Sequence, residues 1–219
     1  WGILVSRDRG DVPRFPGGVW ISSLQHLARQ HPMHLALHVC GAWARTALWG
    51  DYLMPFALSS QFQRVQLNLG SRSDYGPPDW PDKLHNPLWP GQQLIFQLSA
   101  APEAMGRRYF EAYCVDHGSA VPLFDASGGT GKLPPVWPAP FAMANDTDYA
   151  YHGYAGGLTP DNLEVQLIDI GQAAGNCRVW IDLESGVRTD DRFDLEKVSR
   201  VLSIVKPYIL QKGTPCPVE

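Results

Sequence analysis

Val121-Pro-Leu-Phe-Asp-Ala-Ser-Gly-Gly-Thr-Gly-Lys132 is a short apolar run that ends in an acid and then in a glycine-rich turn. An apolar run stopped by Gly reads as a buried strand that delivers its last residue to a loop. Asp125 then sits at the carboxyl end of that strand, where α/β folds place their chemistry. The turn Gly128-Gly129-Thr130-Gly131 can bring bare backbone N–H groups close to a ligand. It is not a P-loop, because Lys132 is followed by Leu133 and two prolines rather than by the Ser or Thr that a magnesium site needs. From this stretch alone, an acid and glycines that only shape a turn are an equally open reading.

The pattern repeats on both sides. Toward the carboxyl end, Tyr151 to Ala155 predicts a strand stopped by Gly156-Gly157-Leu158. Thr159 as cap, Pro160 at the first helical position and Asp161 at the positive end of the dipole predict a helix start there. Arg178 to Leu183 predicts a further strand, followed by Ser185-Gly186-Val187. A last helix opens at Asp194, with Leu195, Val198, Val201, Leu202 and Val205 as its apolar stripe. Toward the amino end, strands are predicted at Leu94 to Leu98, Val65 to Asn68, Leu35 to Val39 and Trp1 to Val5. Helices are predicted from Pro102 to about Cys114, from Ala42 to about Trp49, and over Val19 to Arg29 with Val19, Trp20, Leu24, Leu27 and Ala28 near one face. Two proline-rich connections, 71–91 and 133–140, interrupt the series, and the second leads to a short helix near Phe141 to Asn145.

Strand and helix thus alternate at intervals of roughly 25 to 35 residues, which implies parallel strands joined by crossover helices. Seven units are counted, and on pattern alone a doubly wound sheet and a barrel both fit.

Composition narrows the function classes. The 219 residues are 44% hydrophobic and 18% charged, enough for one domain with a real core and too little charge for disorder. A net charge of −4 without a Lys/Arg block argues against nucleic acid as a partner. No apolar run reaches the roughly 18 residues of a membrane span, so no membrane association is expected. Trp1-Gly-Ile-Leu-Val-Ser reads as a strand without a charged leader, so no signal peptide is expected. Cys40, Cys114, Cys177 and Cys216 lack C-x-x-C spacing, which points to neither zinc nor a disulfide framework but to a reducing compartment, the cytoplasm by default. Cys114 and Cys177 read as small core residues.

Three stretches together resemble phosphoribosylanthranilate isomerase, a (β/α)₈ barrel. Leu123-Phe-Asp-Ala-Ser-Gly-Gly-Thr-Gly-Lys132 is similar to that family's sixth strand and loop, and Tyr154-Ala-Gly-Gly-Leu-Thr-Pro-Asp-Asn162 to its A-G-G-L-x-P-x-N seventh unit. Ile181-Asp-Leu-Glu-Ser-Gly-Val187 is similar to its D-x-x-S-G-V eighth strand and loop. Fainter likenesses are Val65-Gln-Leu-Asn68 to a V-Q-L-H fourth strand and Pro13-Arg14-Phe15 to a P-R-Y segment. The resemblance implies one TIM (β/α)₈ barrel over residues 1–219, with seven βα units visible and Trp1 to Val5 as the second barrel strand. It departs from the family at four points. The catalytic cysteine of a K-I-C-G first strand has no match, Asn68 stands where the family has His, and Glu184 and Arg188 replace a small residue and an acid.

By that resemblance the chain acts on a phosphorylated sugar ligand, in an aldose–ketose type isomerisation that needs no cofactor and no metal. Asp125 matches the general acid, and Arg14, Asn68 and Gly129 fall on substrate-binding positions. Read from the residues themselves, Gly156, Gly157, Ser185 and Gly186 form an anion site from two adjacent loops, the other reading being glycines that only permit tight strand-to-helix turns. Arg14 has the planar fork that binds a carboxylate or a second anion. Cys40, at the end of its strand, is a candidate substitute base, and a packing residue otherwise. Asp182 alternates with Leu183 and reads as a structural hydrogen-bonding group. Two further readings stay open: a barrel that binds a phosphate ligand without isomerising it, and an interaction subunit with an apolar patch at Trp80, Trp89 and Trp137. Oligomeric state is not legible.

Overall fold

The computed structural model describes residues 1–48, 62–68, 92–98, 107, 110–114, 120–125, 130–140 and 151–209. They fall into two compact units, one of residues 1–97 and 101–121, the other of 98–100 and 122–219.

All seven expected strands are present. In the first unit β1 (Gly2–Ser6), β2 (Leu35–Cys40), β3 (Phe62–Asn68) and β4 (Gln93–Leu98) pair in parallel and in chain order. Leu37, Val39, Val65, Leu94 and Phe96 share one face of these strands and are wholly buried there. Helix α1 (Gly18–Gln30) follows β1, and α2 (Ala42–Leu48) follows β2. The face expected for α1 needs correction. Val19 is 85% exposed and Trp20 and Leu27 also face solvent, while Ile21 is the residue buried. Ile21, Leu24, Gln25 and Ala28 are the positions turned inward. The helical period was legible, but its phase is set by what packs beneath. Residues 110–114 are helical, within the span expected there, and Phe96 packs edge-on to Phe110 at 6.0 Å.

β5 (Ala120–Asp125), which enters the second unit at Pro122, and β6 (His152–Ala155) and β7 (Val179–Asp182) within it are again parallel. Helices α3 (Leu163–Ala174) and α4 (Leu195–Val205) follow β6 and β7. One face of these strands carries Tyr154, with Phe124 and Ile181 beside it, into a core with Leu158, Leu163, Ile170, Val198 and Val201. Trp137 closes that core. It is 5% exposed, stands edge-on to Tyr154 at 5.7 Å and donates from Nε1 to Gln166. It is therefore no part of a surface patch, and Trp80 and Trp89 lie outside the described residues, as do Gly70, the 71–91 connection and Phe141 to Asn145.

Asp194 caps α4, its side chain accepting from the backbone of Glu196 and Lys197, as the sequence predicts. Of its expected stripe, Leu195 and Leu202 are exposed. The start expected for α3 is corrected as well. Pro160 to Asn162 form a turn, and the helix begins at Leu163. Asn162 imposes this: its Oδ1 accepts from the Thr159 N–H and its Nδ2 donates to the Gly157 carbonyl. Cys40, Cys114 and Cys177 are thiols outside any disulfide, and burial pushes Cys114 up to about 11. Among the described residues no helix is long and apolar enough to cross a membrane, and no group of His, Cys, Asp and Glu is placed to hold a metal.

Candidate functional site

The site is built where β5, β6 and β7 end. Leu123, Gly153 and Trp180 are register partners across the three strands, and Asp125, Ala155 and Asp182 are partners two residues further on. Two steps along a strand return to the same face, so the two carboxylates stand on one face with the small Ala155 between them. At two strand spacings their Cα atoms are roughly 10 Å apart. The layer beneath is apolar. A side chain at Gly153 would place Cβ 2.3 Å from Trp180 Cζ2 and 2.8 Å from Leu123 Cδ1, so Gly153 is what lets the indole lie across the sheet.

Asp125 is 6% exposed. Asp182 keeps partial solvent contact as a residue, but its carboxyl is enclosed, and this desolvation, helped by the charges of Glu184 and Asp125, pushes it up to about 6. A folded-state value above the unfolded one means stability that is full below about 3.8 and lost as pH rises through 6. Asp182→Asn should remove that dependence. The difference in unfolding free energy between wild type and variant is expected to change by ~2–3 kcal/mol between pH 4 and 7, in denaturant titrations. The opposite contribution of buried His152, pushed down to about 4, cancels in that difference.

Three loops converge above the strand ends, backbone on backbone. Gly157 has a φ of +66°, and a Cβ there would meet Leu133 N at 2.4 Å and the Lys132 carbonyl carbon at 2.7 Å. A Cβ at Gly186 would fall 2.0 Å from the Leu158 carbonyl oxygen, and one at Gly131 3.1 Å from Ser185 Oγ. Gly156 (φ +112°) shares the bend with Gly157. Gly156, Gly157, Ser185 and Gly186 are thus brought together, and among the described residues no hydrogen bond takes up their backbone N–H groups. The N–H groups are not at the N-terminus of α3, which starts six residues after Gly157. They belong to a bend and to the 3₁₀ turn Ser185–Val187.

After that turn comes a hairpin, β8 (Arg188–Thr189) and β9 (Arg192–Phe193), whose tip residues Asp190 and Asp191 both have positive φ, as the tight two-residue turn demands. Glu184 and Arg188, the two charged departures in this loop, face each other at 3.9 Å, both largely buried. The two charges offset each other at that distance, and the Arg188 guanidinium donates its hydrogen bond from Nη1 to the Asp191 carbonyl at 2.7 Å. Nothing in the sequence spacing alone pairs them.

Among the expected residues of the first unit, Cys40 and Asn68 are register partners at the ends of β2 and β3. The Cys40 thiol lies 3.9 Å from the His38 carbonyl, and the Gly41 N–H donates to the Asn68 carbonyl. Arg14 is half-buried in the loop before α1, next to Phe15, on whose ring the Arg9 guanidinium stacks at 5.6 Å. Gly129 lies outside the described residues.

Comparison with known proteins agrees with this architecture. None of the curated proteins compared is significantly similar in sequence. The structure is similar to the crystal structure of phosphoribosyl anthranilate isomerase from Thermus thermophilus, with a TM-score of 0.53 and 15% identity over 95% of this chain and 88% of that one. The fold is accordingly the TIM barrel of that type, seen here with seven parallel strands. Residues 93–203 match the family model described as N-(5'phosphoribosyl)anthranilate (PRA) isomerase, a span that holds β5, β6, β7 and the loops that follow them. With half of its length matched by that model, the chain belongs to the N-(5'-phosphoribosyl)anthranilate isomerase family.

Proposed function

We propose that the chain acts on a phosphorylated sugar derivative in an aldose–ketose type isomerisation, with Asp125 as general acid and the phosphate held by the loops after β6 and β7. The observation that carries this reading is the pairing of backbone N–H groups at Gly156, Gly157, Ser185 and Gly186, unengaged among the described residues, with a buried carboxyl at the end of β5 in the same unit. Backbone donors gathered at strand ends suit a phosphate, and a carboxylic acid suits protonation of the ring oxygen of a sugar.

The test has two parts, thermal shift with ribose 5-phosphate and loss of fluorescence of N-(5'-phosphoribosyl)anthranilate. The proposal expects protection that rises with ligand concentration by linkage, together with turnover. Protection without turnover would leave a phosphate-binding barrel that does not isomerise. Absence of both would remove the reading altogether.

A further inference from the structure

A phosphate ester carries close to two negative charges near neutrality, and backbone N–H groups offer it only partial positive ones. The carboxyls of Asp125, Asp182 and Glu184 stand at the same strand ends, close enough for the charges of Glu184 and Asp125 to act on Asp182. A phosphate held beside them needs a cation. We propose that Arg188 is that cation, binding the ligand phosphate together with the N–H groups of Ser185 and Gly186, and that Glu184 competes with the ligand for it. The inference rests on the proposed function and goes beyond it, adding to the phosphate site a side chain that strengthens binding and one that limits it.

The 3₁₀ turn Ser185–Val187 has Glu184 immediately before it and Arg188 immediately after it. The Val187 N–H donates to the Glu184 carbonyl at 3.3 Å, and the Arg188 N–H donates to the Ser185 carbonyl. The N–H groups of Ser185 and Gly186 therefore lie in the single turn of backbone that the two charges bracket. The main chain of Arg188 is fixed in place. It pairs with Phe193 in the hairpin, and its carbonyl accepts from Lys197 Nζ at 2.7 Å. Beside it Thr189 Oγ1 donates to Asp194 at 2.6 Å, and the Asp194 N–H donates to the Val187 carbonyl at 2.9 Å. The start of α4 thus holds the base of the arginine, and a cation ordered in advance loses little freedom when a ligand binds.

The guanidinium itself is only partly engaged. Its side chain is 15% exposed, and Nη1 donates to the Asp191 carbonyl. Nε is also buried, yet it lies 3.9 Å from Glu184, too far for a hydrogen bond, and makes none among the described residues. A salt bridge serving stability alone would close that gap, because a buried donor left unbonded is costly. Lys132, on the third converging loop, is exposed, so the largely buried cation of this cluster is Arg188. A planar fork with a donor to spare suits a phosphate oxygen.

The experiment is calorimetric titration of the full chain with ribose 5-phosphate at fixed ionic strength. Arg188→Gln is expected to weaken binding roughly 10- to 100-fold, the worth of a hydrogen bond to a charged group. Arg188→Lys keeps the charge without the fork and should weaken it less. Glu184→Gln is expected to tighten binding by roughly three- to tenfold, because the competing carboxylate is gone. That gain separates the proposal from a structural role, since breaking a pair that only braced the loop would weaken binding or leave it alone. Arg192→Gln removes the same charge from an exposed position of the hairpin and should leave affinity nearly unchanged. Unchanged affinity in Arg188→Gln overturns the proposal, as does a Glu184→Gln variant that binds no more tightly than wild type. A loss in Arg192→Gln as large as that in Arg188→Gln also overturns it. Should Arg188→Gln fail to fold, the direction of the Glu184→Gln change decides. A wild type that binds no ribose 5-phosphate removes the proposed function and this proposal with it, whereas a wild type and Arg188→Gln that bind it equally remove this proposal alone.

Discussion

Asp125→Asn is expected to lower turnover of N-(5'-phosphoribosyl)anthranilate by roughly 10²-fold or more, with folding and ribose 5-phosphate affinity near those of wild type. The amide keeps the size and shape of the carboxyl but has no acidic proton to give. Opening the ribose ring puts negative charge on the ring oxygen, and without a proton delivered there the leaving oxygen is poorly stabilised. In the proposed role Asp125 delivers it; the residue is 6% exposed at the end of β5, with the apolar Leu123–Gly153–Trp180 layer below. The competing role is structural, an acid that only organises the loop after its strand. Those roles separate in one measurement, turnover and thermal protection on the same variant. A variant that unfolds, or one that loses phosphate protection with its turnover unchanged, would make Asp125 a loop organiser.

The second large effect belongs to the glycines. Gly157→Val is expected to abolish ribose 5-phosphate protection and to destabilise the protein by on the order of 1–3 kcal/mol, the cost of a left-handed backbone at a non-glycine residue. The steric cause is specific. The new Cβ meets backbone, Leu133 N at 2.4 Å and Lys132 C at 2.7 Å, and backbone has no rotamer with which to yield. The loops must part, which moves the N–H groups of Gly156 and Gly157 away from those of Ser185 and Gly186. Gly186→Ala should do the same from the other side, against the Leu158 carbonyl at 2.0 Å. Gly175→Ala is the control. It also has a positive φ, +57°, at the end of α3, but its Cβ meets nothing within 4 Å. That variant should lose some stability and keep full phosphate protection. Protection that survives Gly157→Val and Gly186→Ala would show that the converging loops are packing alone.

How far these features were legible in the sequence follows from what each depends on. The seven strands were legible because each is a short stretch rich in apolar residues that ends at Gly or a polar residue. Asp194 was legible as a cap because capping is local. The start of α3 was not. Thr159, Pro160 and Asp161 carry a genuine helix-start signal, but Asn162 turns its side chain back onto Thr159 and Gly157, and a side chain folded onto its own loop outweighs propensity. The face of α1 failed for a related reason. A period can be read from one helix, but whether Ile21 or Val19 points inward depends on the sheet beneath it.

The site divides in the same way. Asp125 and the four loop residues are marked by their places after apolar runs. The row that Asp182 shares with Asp125 was not legible, since it exists only once β6 has been laid between β5 and β7. The ion pair of Glu184 with Arg188 was hidden too: each looked like an isolated change of charge until the hairpin after Val187 brought them face to face.

The central claim is that the backbone N–H groups after β6 and β7 hold the phosphate of a sugar ligand. Backbone amide NMR of the labelled protein, titrated with ribose 5-phosphate, tests it most directly. The account predicts saturable shifts concentrated at Gly156, Gly157, Ser185 and Gly186, and no such shifts with ribose, which lacks the phosphate. Amides at those four positions that stay still while the ligand binds, or that respond equally to ribose, would contradict it.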